Sequence, residues 1–385
     1  MDFNLTSEQQ MFQDSVRAFA ERELKPGAHA RAHSADYPYD AAKKLAQQGL
    51  LGITIPEEKG GQGGSLFDAV LAIEQIALAC PRSADVIQAG NFGAVRVFAE
   101  FASDALLERH LPGILSGETI MSVCMTEPGA GSAATELTTT ATPDGDGYRI
   151  NGSKIFTTHG MHAHLFLVYV RFGPGLDGIG SVLVERNAEG MRFGQGSEFM
   201  SDEEWTTFFF DNVYIPKENV LLGAGGFKKQ ISAFNIERLG NTSRALALGE
   251  YAFRTAREYA IDRKQFGRPL CEFQGLQWKF ADMRMQLDAA RLLLYRASVN
   301  ADRGLPSASE TAIAKAFCNQ AGFNAANESI QVMGGMGYSK ESLVEYCFRR
   351  TRGWMIAGGS IEMMKNRIAE EVFERRFSQR PPKAA

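Results

Sequence analysis

The run Met125-Thr126-Glu127-Pro128-Gly129-Ala130-Gly131-Ser132 sets hydroxyls beside backbone N–H groups that glycine leaves open to close approach. Such a surface can hold a pyrophosphate and hydrogen-bond the polar edge of a ring. Alone it reads equally as a turn. Asn151-Gly152-Ser153-Lys154-Ile155-Phe156-Thr157-Thr158 adds an aromatic flanked by hydroxyls, suited to stacking on an isoalloxazine, although by itself Phe156 reads as core. In Asp262-Arg263-Lys264-Gln265-Phe266-Gly267-Arg268-Pro269-Leu270, followed by Glu272-Phe273-Gln274, Arg263 can pair with a phosphate. The plain alternative is a solvated charge cluster. The glycines of Gln331-Val332-Met333-Gly334-Gly335-Met336-Gly337-Tyr338 either let a bulky ligand reach main chain or turn one helix into the next. Ile356-Ala357-Gly358-Gly359-Ser360 is a further glycine-rich segment, and it holds no carboxylate.

Two other patterns carry less. Gly173-Pro174-Gly175-Leu176-Asp177-Gly178 fits the GxGxxG spacing, but a dinucleotide fingerprint opens a helix, whereas strand-like Ile179 to Val184 comes next here. The expectation is a hairpin loop. His159, His162 and His164 lie close in sequence, yet a turn feeding a strand aims them in different directions, so no metal is expected.

Elements must position these segments. Residues 1–119 read as helical, opening on the capping-box pattern Thr6-Ser7-Glu8-Gln9 and a helical spacing of Phe12, Val16 and Phe19 closed by Lys25-Pro26-Gly27. Residues 120–225 change to short β-type runs, Leu165 to Phe172, Ser181 to Glu185 and Thr206 to Tyr214, with a turn at Pro143 to Gly147. From 226 to 385 amphipathic helices return, and Leu276, Phe280, Met283, Leu287, Ala290, Leu294 and Ala297 alternate spacings of four and three. That seam predicts an antiparallel four-helix bundle. The fold class expected is therefore α+β and multidomain: an N-terminal α-helical domain, a central β-barrel or sandwich domain and a C-terminal bundle, ending in a loose tail, Arg380 to Ala385.

The chain has 385 residues, 44% of them hydrophobic, and Lys+Arg 41 stand against Asp+Glu 45 without a basic run, which argues against nucleic acid. Five scattered cysteines, never in CxxC spacing, argue for reduced thiols. Met-Asp-Phe-Asn-Leu-Thr runs into a helical pattern with no leader-like region, and no apolar run reaches membrane length, so a cytoplasmic protein without a membrane span is expected.

Together, in this order and layout, the four ligand-holding segments resemble the acyl-CoA dehydrogenase family over nearly the whole chain. The resemblance implies FAD held against the β domain by Met125, Thr126, Gly131 and Ser132, with Phe156 in place of the aromatic over the ring, often Trp, and Thr158 as a flavin-bonding hydroxyl. It implies that Arg263, Gln265, Phe266, Gln274, Gln331, Gly334 and Gly335 grip the FAD of a neighbouring subunit in a homotetramer, and that Ser360 and Glu362 also touch cofactor. The implied chemistry removes the α-proton of an acyl-CoA thioester with a carboxylate while the β-hydrogen leaves as hydride to flavin N5, electrons passing on to an electron-transferring flavoprotein. Many members carry Glu just before the Gly-Thr or Gly-Ser of the C-terminal motif; here that position is Gly358. Isovaleryl-type and long-chain-type members place the base instead in a Glu-Arg pair on the helix opening the C-terminal domain, and this chain has Asn235-Ile236-Glu237-Arg238 there. Glu237 is thus expected as the base, with Arg238, Asn235, Ser132 and Gly359 on the acyl-CoA. A surface Glu-Arg pair near a helix start is the ordinary alternative.

Cys80 to Asn91 corresponds to residues that line the acyl tail in relatives, and it carries Arg82 and Asp85. Arg82-Ser83-Ala84 is similar to the sequence around the carboxylate-reading arginine of glutaryl-CoA dehydrogenases, but anchoring on Asn91 brings Asp85 into the pocket instead. The two alignments differ by a helical rotation of about 200 degrees. Either a polar or carboxylated acyl group meets these charges, or they pair with each other at the surface. A non-oxidative lyase on the same fold, a 3-sulfinopropionyl-CoA desulfinase, is the alternative function. Those enzymes share an Ala-Gly-Gly-Thr-like motif and runs similar to Ser132 to Glu136 and Glu272 to Trp278, but have Gln where this chain has Glu237. A catalytically silent FAD-binding subunit is a third reading.

Overall fold

The computed structural model describes residues 4–303 and 308–378, so the tail from Arg380 lies outside the described residues. Helix α1 (Ser7–Glu23) opens on the capping box read from sequence, with Thr6 Oγ1 accepting from the Gln9 N–H and the Gln9 side chain accepting from the Thr6 N–H. A 3-10 turn at Lys25–Gly27 closes it, and α2 (Ala28–Ala32), α3 (Tyr39–Gln47), α4 (Leu66–Ala79), α5 (Ala84–Asn91), α6 (Gly93–Phe101) and α7 (Asp104–Leu115) come after it. Helix α4 is apolar almost all round, so it is buried rather than laid on a surface, packing against α1 and the later helices Phe227–Asp262 and Gln274–Asp302.

Nine strands form the middle layer: β1 (Met121–Cys124), β2 (Thr140–Asp144), β3 (Gly147–Thr158), β4 (Leu165–Arg171), β5 (Ile179–Glu185), β6 (Met191–Phe193), β7 (Ser197–Glu198), β8 (Glu204–Pro216) and β9 (Val220–Leu222). They pair in the order β6-β8-β3-β2-β4-β5-β9, with β1 parallel on β4 and β7 on β8. Asp144 faces Gly147 across a tight hairpin whose Gly145 takes φ +59°. The GxGxxG match joins the antiparallel pair β4 and β5, as the strand-like run after it required.

The C-terminal layer is helical: α8 (Phe227–Asp262), a short hairpin of β10 (Lys264–Gln265) and β11 (Arg268–Pro269), then α9 (Gln274–Asp302), α10 (Ala308–Met333), α11 (Gly335–Tyr338), α12 (Leu343–Trp354) and α13 (Ile361–Val372). On the seam of α9, Met283, Leu287, Ala290, Leu294 and Ala297 are buried, while Leu276 and Phe280 at its start are partly covered. Helices α8 and α10 approach so closely that a Cβ on Gly322 would fall 2.1 Å from the Ala245 carbonyl oxygen. That contact packs α8 against α10, and α10 packs in turn against α12 and α13. Among the described residues, no helix is long and apolar enough to cross a membrane.

Candidate active site

Glu237 sits about three turns into α8, and its carboxylate turns inward. Gln88 Nε2, from α5, donates to both its oxygens at 2.5 and 2.6 Å, and Asn241 Nδ2, one turn along α8, donates to Oε1 at 3.3 Å. Gly93 begins α6 at φ +60°, and a Cβ there would lie 2.5 Å from Glu237 Oε2. Glycine is therefore required for both conformation and space. Enclosure on most sides, with one face still partly open, pushes the Glu237 carboxyl up to about 7, against the lowering pull of Arg244, Gln88, Lys315 and Asn241. A carboxylate poised near neutrality is suited to taking a proton at working pH.

The turn Gly358-Gly359 packs against the same stretch of α8. Both glycines are left-handed, at φ +73° and +93°, and a Cβ on Gly358 would stand 2.8 Å from Asn241 Nδ2. Position 358 and Glu237 thus meet at one amide. Arg238 faces the turn, donating to the Gly358 carbonyl at 3.1 Å and to Asn235 Oδ1 at 2.5 Å, and burial lowers its guanidinium to about 10. Lys315, wholly buried on α10, donates to the carbonyls of Trp354 and Ala357, and burial lowers it to about 7. Ser360 caps α13, its Oγ accepting from the Met363 N–H, while Glu362 in the first turn is exposed.

Arg82 and Asp85 do pair with each other, at 3.2 Å, but not at the surface: both are buried. Asp85 also accepts from Arg244 at 2.6 Å and Arg350 at 3.0 Å, and Glu203 pairs with Arg82 and Arg350. Arg244 and Arg350 stack on the Trp354 ring at 3.6 and 3.8 Å. Desolvation pushes Asp85 up, but its three arginines hold it well below the usual carboxylate range.

On the β layer, a buried ion pair builds the loop at 125–132. Lys154 Nζ donates to Glu127 Oε1 at 2.8 Å and to the Met125 carbonyl at 3.2 Å. The backbone N–H groups of Thr138 and Thr139 donate to Glu127 as well. The Ile155 N–H donates to the Thr126 carbonyl, which lays Met125 and Thr126 beside Phe156 and Thr158 on β3. A Cβ at Gly129 or Gly131 would meet nothing within 4 Å, so that side of the loop is open. Phe156 is 52% exposed and held at φ +58° where the β3–β8 register slips, its ring 4.7 Å from that of Trp205. It is not core, and a strained, exposed aromatic beside an open glycine loop marks a surface kept for a ligand.

Arg263, Gln265 and Phe266 lie at the hairpin and Gln274 opens α9 just after it, at the far end of α8, roughly 40 Å of helix from Glu237. Phe266, at φ +51°, is 95% exposed. Gln331, Gly334 and Gly335 are exposed where α10 gives way to α11, with Gly334 at φ +59°. The three histidines go to separate partners: His159 packs edge-on to Tyr37, His162 near Tyr39, and His164 Nδ1 accepts from the Ile120 N–H. Among the described residues no His, Cys, Asp or Glu group could hold a metal ion.

The chain matches the acyl-CoA dehydrogenase N-terminal domain over residues 6–118, the middle domain over 122–213 and the C-terminal domain over 224–373. It belongs to the acyl-CoA dehydrogenase family. It is 33% identical to a short-chain-specific acyl-CoA dehydrogenase of Clostridium acetobutylicum, over 97% of this chain and 100% of that one. It is also 33% identical to a 3-sulfinopropanoyl-CoA desulfinase of Paraburkholderia xenovorans, over 98% of this chain and 99% of the other. The butyryl-CoA dehydrogenase of Megasphaera elsdenii superposes with a TM-score of 0.90 at 32% identity, covering 97% of this chain and 100% of that one. The chain is accordingly an FAD flavoprotein and an enzyme acting on acyl-CoA.

Several residues of the site escaped the reading of the sequence. Asn241 and Arg244 lie four and seven residues after Glu237, on its own helical face, and that spacing was the available signal. Gln88, three after Asp85, could have been found the same way. Glu203, Arg350, Lys154 and Lys315 come from distant segments, and their convergence carries no local signature.

Proposed function

We propose that this chain oxidises an acyl-CoA thioester to its α,β-unsaturated form, with Glu237 as the base. What carries the reading is Glu237 itself: an inward carboxylate with a pKa near 7, sharing the Asn241 amide with the position where relatives keep their base. Met125, Thr126, Gly131, Ser132, Phe156 and Thr158 would hold FAD in their own subunit, and Ser360 and Glu362 would adjoin it. Arg263, Gln265, Phe266, Gln274, Gln331, Gly334 and Gly335 are too far along α8 and α10 to serve the same cofactor and would grip that of a neighbour, which requires an oligomer, a homotetramer in our reading. Bound there, FAD supplies the acceptor for the hydride leaving the β-carbon.

Glu237 takes the proton from the α-carbon and becomes neutral, which relieves the cost of holding its charge in an enclosed site. Arg238 and Asn235 orient the thioester along the Gly358-Gly359 turn, where glycine lets the acyl-CoA approach main chain. Gln88 withdraws from one carboxylate oxygen to free it for the α-proton. Beyond Glu237 the wall between α5 and α8 is made of Gln88, Asn241, Asp85 and Arg244. A long aliphatic tail gains little against it, so a short or polar acyl group fits best.

Glu237→Gln should retain FAD but lose flavin bleaching by saturated acyl-CoAs under anaerobic conditions; unimpaired bleaching would refute the assignment. The desulfinase reading draws on the relative of that name. Sulfite release from a sulfinylated acyl-CoA, without net flavin reduction, would favour it. Reoxidation of the reduced enzyme by an electron-transferring flavoprotein is the expected second half-reaction.

A further inference from the structure

The base is wired into a buried charge network. Arg244 Nη2 donates to Asn241 Oδ1 at 2.6 Å, and Asn241 donates onward to Glu237. The other arm of Arg244, Nη1, donates to Asp85 Oδ1 at 2.6 Å, and Asp85 is in turn held by Arg82 and Arg350, both shared with Glu203. Arg82, Arg244 and Arg350 therefore stand against Asp85, Glu203 and Glu237. Burial pushes Glu203, like Glu237, up to about 7, so the balance of charge in the cluster depends on both carboxyls. The Arg244 guanidinium is buried over the Trp354 ring.

Other groups around Glu237 are committed elsewhere. Lys315 on α10 is tied to two carbonyls, and Arg238 on α8 points to the Gly358 carbonyl and Asn235. On β4, the Tyr169 hydroxyl accepts from Gln230. Gln88 on α5 is a neutral donor, and Gly93 at the start of α6 carries no charge. Arg244 is the cation linked to Glu237 through a single side chain.

We propose that Arg244 is a positioning residue that keeps Glu237 ionised, and that Asp85 limits how strongly it does so. The inference rests on Glu237 being the base. Its physical content is a pair of opposite signs. Removing the Arg244 charge withdraws attraction from the carboxylate and raises its pKa. Neutralising Asp85 leaves Arg244 less compensated and lowers that pKa. Simple damage to the fold has no reason to act in opposite directions.

The test is an isotope-edited infrared titration of the holoenzyme, in which the Glu237 carboxyl band is identified by its loss in Glu237→Gln. Arg244→Gln, which keeps hydrogen-bonding capacity, should move the midpoint up by about one pH unit. Asp85→Asn should move it down, and Arg244→Lys should return it close to the native value. The acid limb of the bleaching rate should shift in the same directions. Should Asp85→Asn fail to fold, the contrast between Arg244→Gln and Arg244→Lys decides. Unmoved midpoints, or a shift of the same sign in Arg244→Gln and Asp85→Asn, would overturn the inference. Full bleaching by Glu237→Gln would instead sink the base assignment, while the carboxyl midpoints would still report on Arg244.

Discussion

Replacing Glu237 by Gln should change stability and catalysis in a linked, pH-dependent way. The carboxyl lies near 7 in the folded chain against an ordinary value of 4.5, so its charge opposes folding once pH exceeds the unfolded value. Below 4.5 it is protonated in both states and contributes no penalty. Between 4.5 and 7 the penalty grows, and above 7 it is complete. A difference of this size is worth at most about 3 kcal/mol at pH 8 and about 1 kcal/mol at pH 5. Gln, uncharged and close in shape, escapes it. The variant should therefore gain stability over the native protein as pH rises, the gap widening by about 2 kcal/mol from pH 5 to pH 8 in denaturant titrations of FAD-saturated protein. The same ionisation governs rate: a base titrating near 7 is about one-tenth ionised at pH 6 and about nine-tenths at pH 8, so native bleaching should rise roughly tenfold between them. A gap independent of pH, or bleaching flat across that range, would show that the carboxylate is solvated and ordinary, and the reasoning from its enclosure would fail.

Lys154→Met leaves Glu127 buried without its cation, and losing one partner of such a pair costs on the order of 3–5 kcal/mol. FAD should then wash out on gel filtration, read as a lower flavin-to-protein absorbance ratio. Gly358→Ala places a Cβ at φ +73° and against Asn241, so it should lower stability by about 1–2 kcal/mol and disturb bleaching even though no catalytic group is removed. Phe266→Ala should weaken subunit association and FAD retention together, seen by analytical ultracentrifugation with flavin detection, while leaving the far-UV spectrum unchanged.

Local rules made the fold readable. The capping box at Thr6, the glycine hairpin at Gly145 and the seam from Met283 to Ala297 each depend on neighbours in the chain, and each stands as the pattern required. The GxGxxG match could be set aside for the same reason: it leads into a strand rather than a helix. Glu237 was legible only through family resemblance and the empty position at 358. Its surroundings were legible only in part: Asn241 and Arg244 share its helix at spacings of four and seven, whereas Gln88 and Lys315 reach the site from two other helices. Arg82 and Asp85 show the limit most plainly. A spacing of three correctly pairs them, yet the same spacing occurs on any exposed helix, and only Glu203 and Arg350, more than a hundred residues away, make the pair a buried one.

Moving the base onto α8 changes what the fold must supply. A carboxylate at position 358 would project from a glycine turn beside Lys315, a cation already committed to that turn's backbone. A carboxylate at Glu237 lies in the middle of a long helix, where the backbone offers no free N–H to stabilise its charge. Side chains must do so instead. Gln88 and Asn241 supply neutral donors and Arg244 supplies charge, while Asp85 prevents that charge from fixing Glu237 in its ionised form. An arginine alone would make a stable ion pair and a poor base; burial raises the carboxyl and Arg244 draws it back, and with Arg244 shared by Asp85 the carboxylate stays near the midpoint of its titration, where it both accepts a proton and gives it up.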